Sequence, residues 1–280
     1  MTALAAVLRS AAAQLAAAGV PSPRHDAEAL AGSVLGVSRG QLPQVQSLSA
    51  AQAAAFEKLL ARRADRKPLQ HITGRAGFRH LDLAVGPGVF LPRPETEVVV
   101  EWCLGQLPSG GTAVDLCAGS GAIALSLATE RSGTTVYAVE SDPTAYAWLQ
   151  RNAVGTGVRC LQVDLADVLR PVPQLSGRVD LVVSNPPYIP LGSRPLDPEV
   201  ARYDPAIALW GGRDGLDVVR AVEQIARRLL STGGRLAIEH ADTQGAAVPA
   251  LLAAAGNWTG IADHRDLADR DRYATAVWAG

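Results

Sequence analysis

From Thr112 to the C-terminus, short apolar runs alternate with stretches of helical periodicity, and this alternation restricts the possible folds more than any other feature. Strands are expected at Thr112–Leu116, Thr135–Glu140, Arg159–Asp164, Val179–Ser184, Arg235–Glu239, Thr259–His264 and Tyr273–Trp278, with helical patterns between most of them. Such alternation winds a sheet with helices on both faces, and ligands bind at the carboxyl ends of its strands. The expected fold class is α/β, a seven-stranded, doubly wound, Rossmann-like sheet.

The first 70 residues carry helical patterns and no strand pattern. Leu4, Val7, Leu8 and Leu15 share a helical face, and a Pro-Ser-Pro break at 21–23 follows. A second helix runs from about Arg24 to Leu35 and ends at Gly36; a third runs from Ser49, a suitable N-cap, to about Asp65. Phe78, then Leu81, Leu83 and Val85, pattern as two short strands about a turn at Arg79–His80. The expected division is a helical bundle over 1–70, a β-hairpin linker over 71–92 and the sheet domain over 93–280.

The 280 residues are 48% hydrophobic and 19% charged, which excludes a disordered chain. The formal net charge of -1 argues against a protein committed to nucleic-acid phosphates. That balance hides a split: residues 1–85 carry ten basic and five acidic side chains, so the remainder is at -6. Arg62, Arg63 and Arg66 in that basic part are expected to face a partner. Three cysteines, Cys103, Cys117 and Cys160, lack metal-ligand spacing and point to a reducing cytoplasm. The absence of a run of 18 apolar residues implies no membrane span, and Arg9 and Gln14 interrupt the Ala-rich start, which reads as a helix rather than a leader.

Two constellations carry chemistry. The first is Asp115-Leu-Cys-Ala-Gly-Ser-Gly-Ala122, directly after the first expected strand and opening a helix. Cys117, Ala118, Gly119, Ser120 and Gly121 form a loop that a ligand can approach closely, with a helix N-terminus behind it. Glu140 ends the next strand, where a carboxylate accepts both hydroxyls of a ribose. The loop alone fits a nicotinamide dinucleotide as well as S-adenosylmethionine. At the end of the third strand Asp164 either receives an adenine amino group or caps the following turn, and Leu165 adds packing.

The second constellation is Val179-Asp-Leu-Val-Val-Ser184 running into Asn185-Pro-Pro-Tyr188. Each proline fixes its φ, pushes its predecessor out of the helical region and lacks an N–H. The carbonyls of Asn185 and Pro186 and the Asn185 side-chain oxygen are then acceptors suited to an –NH2 group. Pro187 stiffens the exit, and Tyr188 gives an aromatic wall for a flat substrate.

Asn185-Pro-Pro-Tyr188 after a nucleoside loop resembles the methyltransferases that act on planar nitrogen. Leu91-Pro-Arg-Pro-Glu-Thr-Glu97, Asp115–Ala128, the Tyr203-Asp-Pro-Ala-Ile-Ala-Leu run, Gly211-Gly-Arg-Asp-Gly-Leu216, Gly233-Gly-Arg-Leu-Ala-Ile-Glu239 and Asp269-Arg-Asp-Arg-Tyr273 resemble, in order, the release-factor glutamine methyltransferase family (PrmC/HemK). The resemblance covers about residues 68–278; the N-terminal bundle matches in size and helicity. It implies S-adenosyl-L-methionine as methyl donor, S-adenosyl-L-homocysteine as product, no metal, and as substrate the glutamine of the Gly-Gly-Gln motif of peptide chain release factors. On this resemblance Asn185, Pro186 and Tyr188 are catalytic, Pro187 joins them in binding substrate, and Cys117, Ala118, Gly119, Ser120, Gly121, Glu140, Asp164, Leu165 and Asn185 hold the cofactor. Cys117 and Ala118 replace a glycine and a threonine of the family loop, which weakens the requirement for positive φ at 117. Leu165 replaces an aromatic. Arg93, Glu95 and Glu97 either line the cofactor pocket or begin a helix.

The main rival is a DNA or RNA amino-methyltransferase acting on adenine N6, which shares the Asn-Pro-Pro-Tyr logic but needs a basic target-recognition region and base flipping. The acidic balance beyond residue 85 counts against it, and no direct nucleic-acid partner is expected. An inactive cofactor-sensing module and a nicotinamide-dependent oxidoreductase both leave Asn185–Tyr188 unexplained.

Overall fold

The structure, a computed structural model, describes residues 2–193 and 197–280 and forms two compact units. The first holds residues 2–75 together with 197–203; the second holds 76–193 and 204–280.

In the first unit, α1 (Leu4–Ala17) buries Leu4, Leu8, Ala11 and Leu15, the face its spacing marks. Helix α2 (Pro23–Leu35) begins on a proline and ends where Gly36 turns left-handed at φ 67°. Helix α3 (Ala50–Ala64) is capped by Ser49: its hydroxyl accepts the Gln52 N–H at 3.2 Å, and the Gln52 side chain accepts the Ser49 N–H at 2.9 Å. A cap of this kind contributes about 1 kcal/mol. Helix α4 is short (Leu69–Thr73). Leu15, Leu30, Leu48, Phe56 and Leu60 form the core. A two-residue pairing of Thr2–Ala3 with Ser47–Leu48, absent from the sequence expectation, closes one side of it.

A short helix at Pro198–Tyr203 belongs to this same unit although it lies far along the chain. Charge builds it in. Arg63 is only 4% exposed; its Nε donates to Asp26 Oδ2 at 2.7 Å and its Nη1 to Glu199 Oε1 at 2.8 Å. Arg66 Nε reaches the same Glu199 oxygen at 2.8 Å. The expectation that Arg63 and Arg66 face a partner is therefore corrected: acids within the unit already occupy them. Arg62 alone of the three is exposed.

The second unit opens, from Ala76, within a hairpin of β1 (Arg75–Phe78) and β2 (Leu81–Ala84). Arg79 takes φ 50° at its turn, and its guanidinium meets Glu130 and Glu101 at 2.7 and 2.8 Å. After α5 (Thr96–Gln106) come β3 (Thr112–Leu116), α6 (Ala122–Glu130), β4 (Thr135–Glu140), α7 (Pro143–Ala153), β5 (Arg159–Gln162) and β6 (Val179–Ser184). Helix α8 (Asp217–Leu229), β7 (Leu230–Glu239), α9 (Ala247–Ala255), β8 (Trp258–Arg265) and β9 (Asp271–Trp278) complete it. The seven strands lie in the order β8-β9-β7-β6-β3-β4-β5, antiparallel only where β9 pairs with β7 and β8. Two apolar clusters cover the two faces, one under α5, α6 and α7, the other under α8 and α9. This is the expected doubly wound sheet. Strand β5 stops two residues before Asp164, and β7 begins five residues earlier than expected.

Strand β3 pairs with β4 on one side and β6 on the other, with Leu116 opposite Ser184. The winding therefore reverses at β3, and a crevice opens at the carboxyl ends of β3 and β6. Both chemical constellations begin there.

Candidate active site

At the end of β3 the chain turns sharply. Cys117 has φ 64°, so the expectation that a non-glycine residue relieves this position of positive φ is corrected. The left-handed conformation costs a residue with a Cβ roughly 1–2 kcal/mol. It is retained because the Ala118 N–H donates to Val139 O at 2.9 Å and the Gly121 N–H to Ala118 O at 2.8 Å, which together fix the loop. Burial, then the nearby Glu140 carboxylate, pushes the Cys117 thiol up to about 12. A thiol so poorly ionised is a weak nucleophile. Mass spectrometry after iodoacetamide treatment of the folded protein is expected to find Cys117 unmodified; rapid labelling there would contradict this environment.

Gly119 and Gly121 also have positive φ. A Cβ built at Gly119 meets no protein atom within 4 Å, so the loop faces open space there. Two carboxylates flank it. Glu140 Oε2 accepts the Gly119 N–H at 2.8 Å and Oε1 the Asp142 N–H at 2.9 Å. Burial raises the Glu140 pKa while these bonds oppose the rise. An ionised carboxylate offers about four lone-pair positions, so acceptor capacity remains for a ligand hydroxyl. Asp115 is fully buried, and its Oδ2 accepts the Ala124 N–H at 3.0 Å, whereas Oδ1 has no hydrogen-bond partner. Burial lifts the Asp115 pKa to about 8. An orphaned acceptor beneath an open glycine loop fits a ligand rich in donors, as the nucleoside and ammonium groups of S-adenosylmethionine are.

Other expected cofactor residues take these positions. Ala118 and Ser120 are buried within the loop, and the Ser120 carbonyl accepts from Asn152, whose side chain also clasps Ala84 of β2. Asp164 is exposed and sits at the N-cap of a single 3-10 turn, but its side chain makes no capping bond. Leu165 packs against the cluster beneath α8 and α9.

Across the crevice, Ser184 Oγ donates to Leu116 O at 2.7 Å and ties the two strand ends together. The next residue, Asn185, donates from Nδ2 to Thr96 Oγ1 at 3.2 Å. No donor among the described residues reaches its Oδ1 or the Pro186 carbonyl. Burial, reinforced by Glu239, raises the Tyr188 pKa, so its phenol stays neutral. The Tyr188 carbonyl accepts from Gln244 Nε2 at 3.0 Å.

The segment beyond is clamped by backbone. Ile189 N–H donates to Leu209 O and Gly211 N–H to Ile189 O, both at 2.9 Å. At Gly215, φ 79°, a Cβ would come within 2.3 Å of the Tyr188 carbonyl. The Gly-Gly-Arg-Asp-Gly run thus keeps its backbone pressed on the Asn-Pro-Pro-Tyr segment, which accounts for glycine at that position.

Of the two roles open to the Pro-Arg-Pro-Glu-Thr-Glu segment, the structure shows the start of a helix, with Glu95 at the N-cap and Glu97 in the first turn of α5. Arg93 pairs with Asp204 and stacks 4.8 Å from the Phe90 ring, and Glu97 Oε1 accepts the Arg79 N–H at 3.0 Å. The residue that reaches the site is Thr96, 89 positions from Asn185, and nothing in its local sequence distinguishes it from a first-turn helix residue. Glu239, 1% exposed at the end of β7, was likewise legible only as part of a motif.

Comparison with known proteins gives concordant matches. Residues 6–74 match the family described as the PrmC N-terminal domain, and residues 70–193 the methyltransferase small domain. The chain is 50% identical to a release factor glutamine methyltransferase of Mycolicibacterium smegmatis, over 99% of this chain and 98% of that one. It is equally similar to one of Streptomyces coelicolor, with the same coverage. A 4-amino-L-phenylalanine/4-methylamino-L-phenylalanine methyltransferase of Streptomyces pristinaespiralis is 42% identical, over 91% of this chain and 89% of that one.

Proposed function

The chain belongs to the release factor glutamine methyltransferase family, and we propose that it methylates the side-chain nitrogen of the glutamine in the Gly-Gly-Gln motif of peptide chain release factors. S-adenosyl-L-methionine supplies a methyl group already activated on a sulfonium and leaves as S-adenosyl-L-homocysteine. The protein must bring a poor nucleophile into line. An amide lone pair is delocalised, as the peptide rotation barrier of ~18–20 kcal/mol indicates. Asn185 Oδ1 and the Pro186 carbonyl accept the substrate N–H groups, orient the nitrogen and stabilise positive charge growing on it. Pro187 holds that exit rigid, and Tyr188 walls the amide plane. The proton leaves to water after transfer, when it is acidic, so no general base is needed.

The loop 117–121 and Asp115 take the cofactor, Glu140 its ribose, Asp164 its adenine amino group, and Leu165 packs beside the ring. The helical first unit serves in substrate recognition and the second unit, with the hairpin built into it in place of a separate 71–92 linker, is the catalytic part. The observation that carries this reading is Asn185, with its nitrogen tied to Thr96 and its oxygen without a donor among the described residues, beside Pro186. Incubation with isotope-labelled S-adenosylmethionine and a release factor, followed by peptide mass analysis, is expected to place one methyl on the Gly-Gly-Gln glutamine. Label on an oligonucleotide alone, or on a free arylamine alone, would replace this substrate. Glu140→Ala is expected to weaken S-adenosylmethionine binding about 10- to 100-fold by calorimetry, since one charged acceptor serves both loop and ligand.

A further inference from the structure

Glu239 ends β7 immediately beside the site. The β6–β7 register sets Ser184 against Ile238, so Glu239 stands next to Asn185 in the adjacent strand. Its carboxylate is 1% exposed and its Oε2 has no hydrogen-bond partner among the described residues, while the neighbouring Thr96 hydroxyl and Asn185 side chain favour its charged form. Thr96, 4% exposed, accepts from Asn185 Nδ2, which frees its own hydrogen for Glu239. The three groups make a short chain whose direction matters. A primary amide presents oxygen on one side and nitrogen on the other, and which way it faces is decided by its partners. If the chain ran in reverse, Thr96 would donate to Asn185 Oδ1, and an NH2 group would face the substrate NH2.

We propose that Glu239 is a positioning residue for methyl transfer: as a pure acceptor it fixes the direction of the Glu239–Thr96–Asn185 chain and turns Asn185 Oδ1 toward the substrate nitrogen. This rests on the acceptor role of Asn185 proposed above. A buried carboxylate is expensive to keep, and an ionised one accepts only, whereas glutamine or a protonated glutamic acid can also donate.

The surroundings make this testable by pH. Burial pushes Glu239 up to about 7; the Thr96 hydroxyl, Arg272 of β9 and Asn185 oppose the rise, and Glu95 at the start of α5 adds to it. Tyr188 and Tyr273 also face it, from the segment after β6 and from β9, and Asp266 holds Arg272 at 3.0 Å. Protonation below about pH 7 abolishes the pure acceptor, so wild-type turnover should rise with pH through that value.

The experiment measures turnover against pH, together with S-adenosylmethionine affinity, for Glu239→Gln, Thr96→Val and Thr96→Ser. Glu239→Gln should lose at least about tenfold in turnover and lack the rise near pH 7, with cofactor affinity held within about twofold. Thr96→Ser should recover turnover lost in Thr96→Val. Unchanged turnover in Glu239→Gln, a retained pH rise, or a parallel loss of cofactor affinity overturns the proposal. Should Glu239→Gln fail to fold, equal turnover in the two Thr96 variants overturns it. Asn185→Ala run alongside separates the two readings: normal turnover in that variant removes the acceptor role itself, while normal turnover in Glu239→Gln alone removes only the chain's direction.

Discussion

With Asn185 replaced by alanine, turnover is expected to fall by roughly 10²–10³, the scale of deleting one positioned polar group at a centre of developing charge. S-adenosylmethionine affinity should stay near that of the unaltered protein, although Asn185 is among the residues expected to hold the cofactor, because the 117–121 loop proposed to take it is held by other bonds. Ala118 is fixed by Val139, Gly119 by Glu140 and Ala124 by Asp115, none of them through the Asn185 side chain. Stability should change little, since Asn185 is only partly buried and its one 3.2 Å bond, to Thr96, is supplemented only by its influence on the Glu239 carboxylate. Single-turnover kinetics with saturating cofactor give the cleanest measurement, because they exclude product release. Turnover within about tenfold of the unaltered protein would leave the Pro186 carbonyl as sufficient acceptor, contrary to the assigned role.

The parts of this site that were legible in the sequence are those in which one short segment carries its own geometry. Val179–Ser184 reads as a strand because an apolar run stops at Asn-Pro-Pro, and the prolines alone dictate an extended exit. Thr112–Leu116 and Thr135–Glu140 read equally well, since each is a short apolar run bounded by turns. Where two distant segments act together, the local pattern is silent. Thr96 reads as a first-turn helix residue, Glu239 as the last residue of a strand, and only the pairing of β6 with β7 brings the latter beside Asn185. Cys117 misled for a related reason. Substitution at a glycine position suggests relaxed backbone, yet the bonds of Ala118 and Gly121 hold the turn whatever the side chain. The 198–203 helix was hidden more completely: its place in the first unit depends on an ion pair spanning 136 positions.

That ion pair carries the largest stability effect expected here. Arg63→Ala should destabilise the first unit by about 3–5 kcal/mol, because it leaves Asp26 and Glu199 largely buried without their cation. The arginine side chain is 5% exposed, against 8% for Asp26 and 15% for Glu199, so water cannot readily replace it. Arg66 still reaches Glu199 and moderates the loss on that side, whereas His25, at 3.2 Å from Asp26, compensates only when protonated. Replacing the group as a whole should cost far less: Asp26→Asn, Arg63→Met and Glu199→Gln together remove the charges along with their desolvation penalty. Urea unfolding followed by circular dichroism distinguishes these cases. A single Arg63→Ala variant with an unchanged midpoint would mean the cluster is solvated and contributes as weakly as a surface pair, and a triple variant no more stable than the single one would mean that unpaired buried charge is not the source of the loss. Because the pair is buried, the difference should also persist in high salt, which screens exposed charges within a few ångströms but leaves this contact nearly intact.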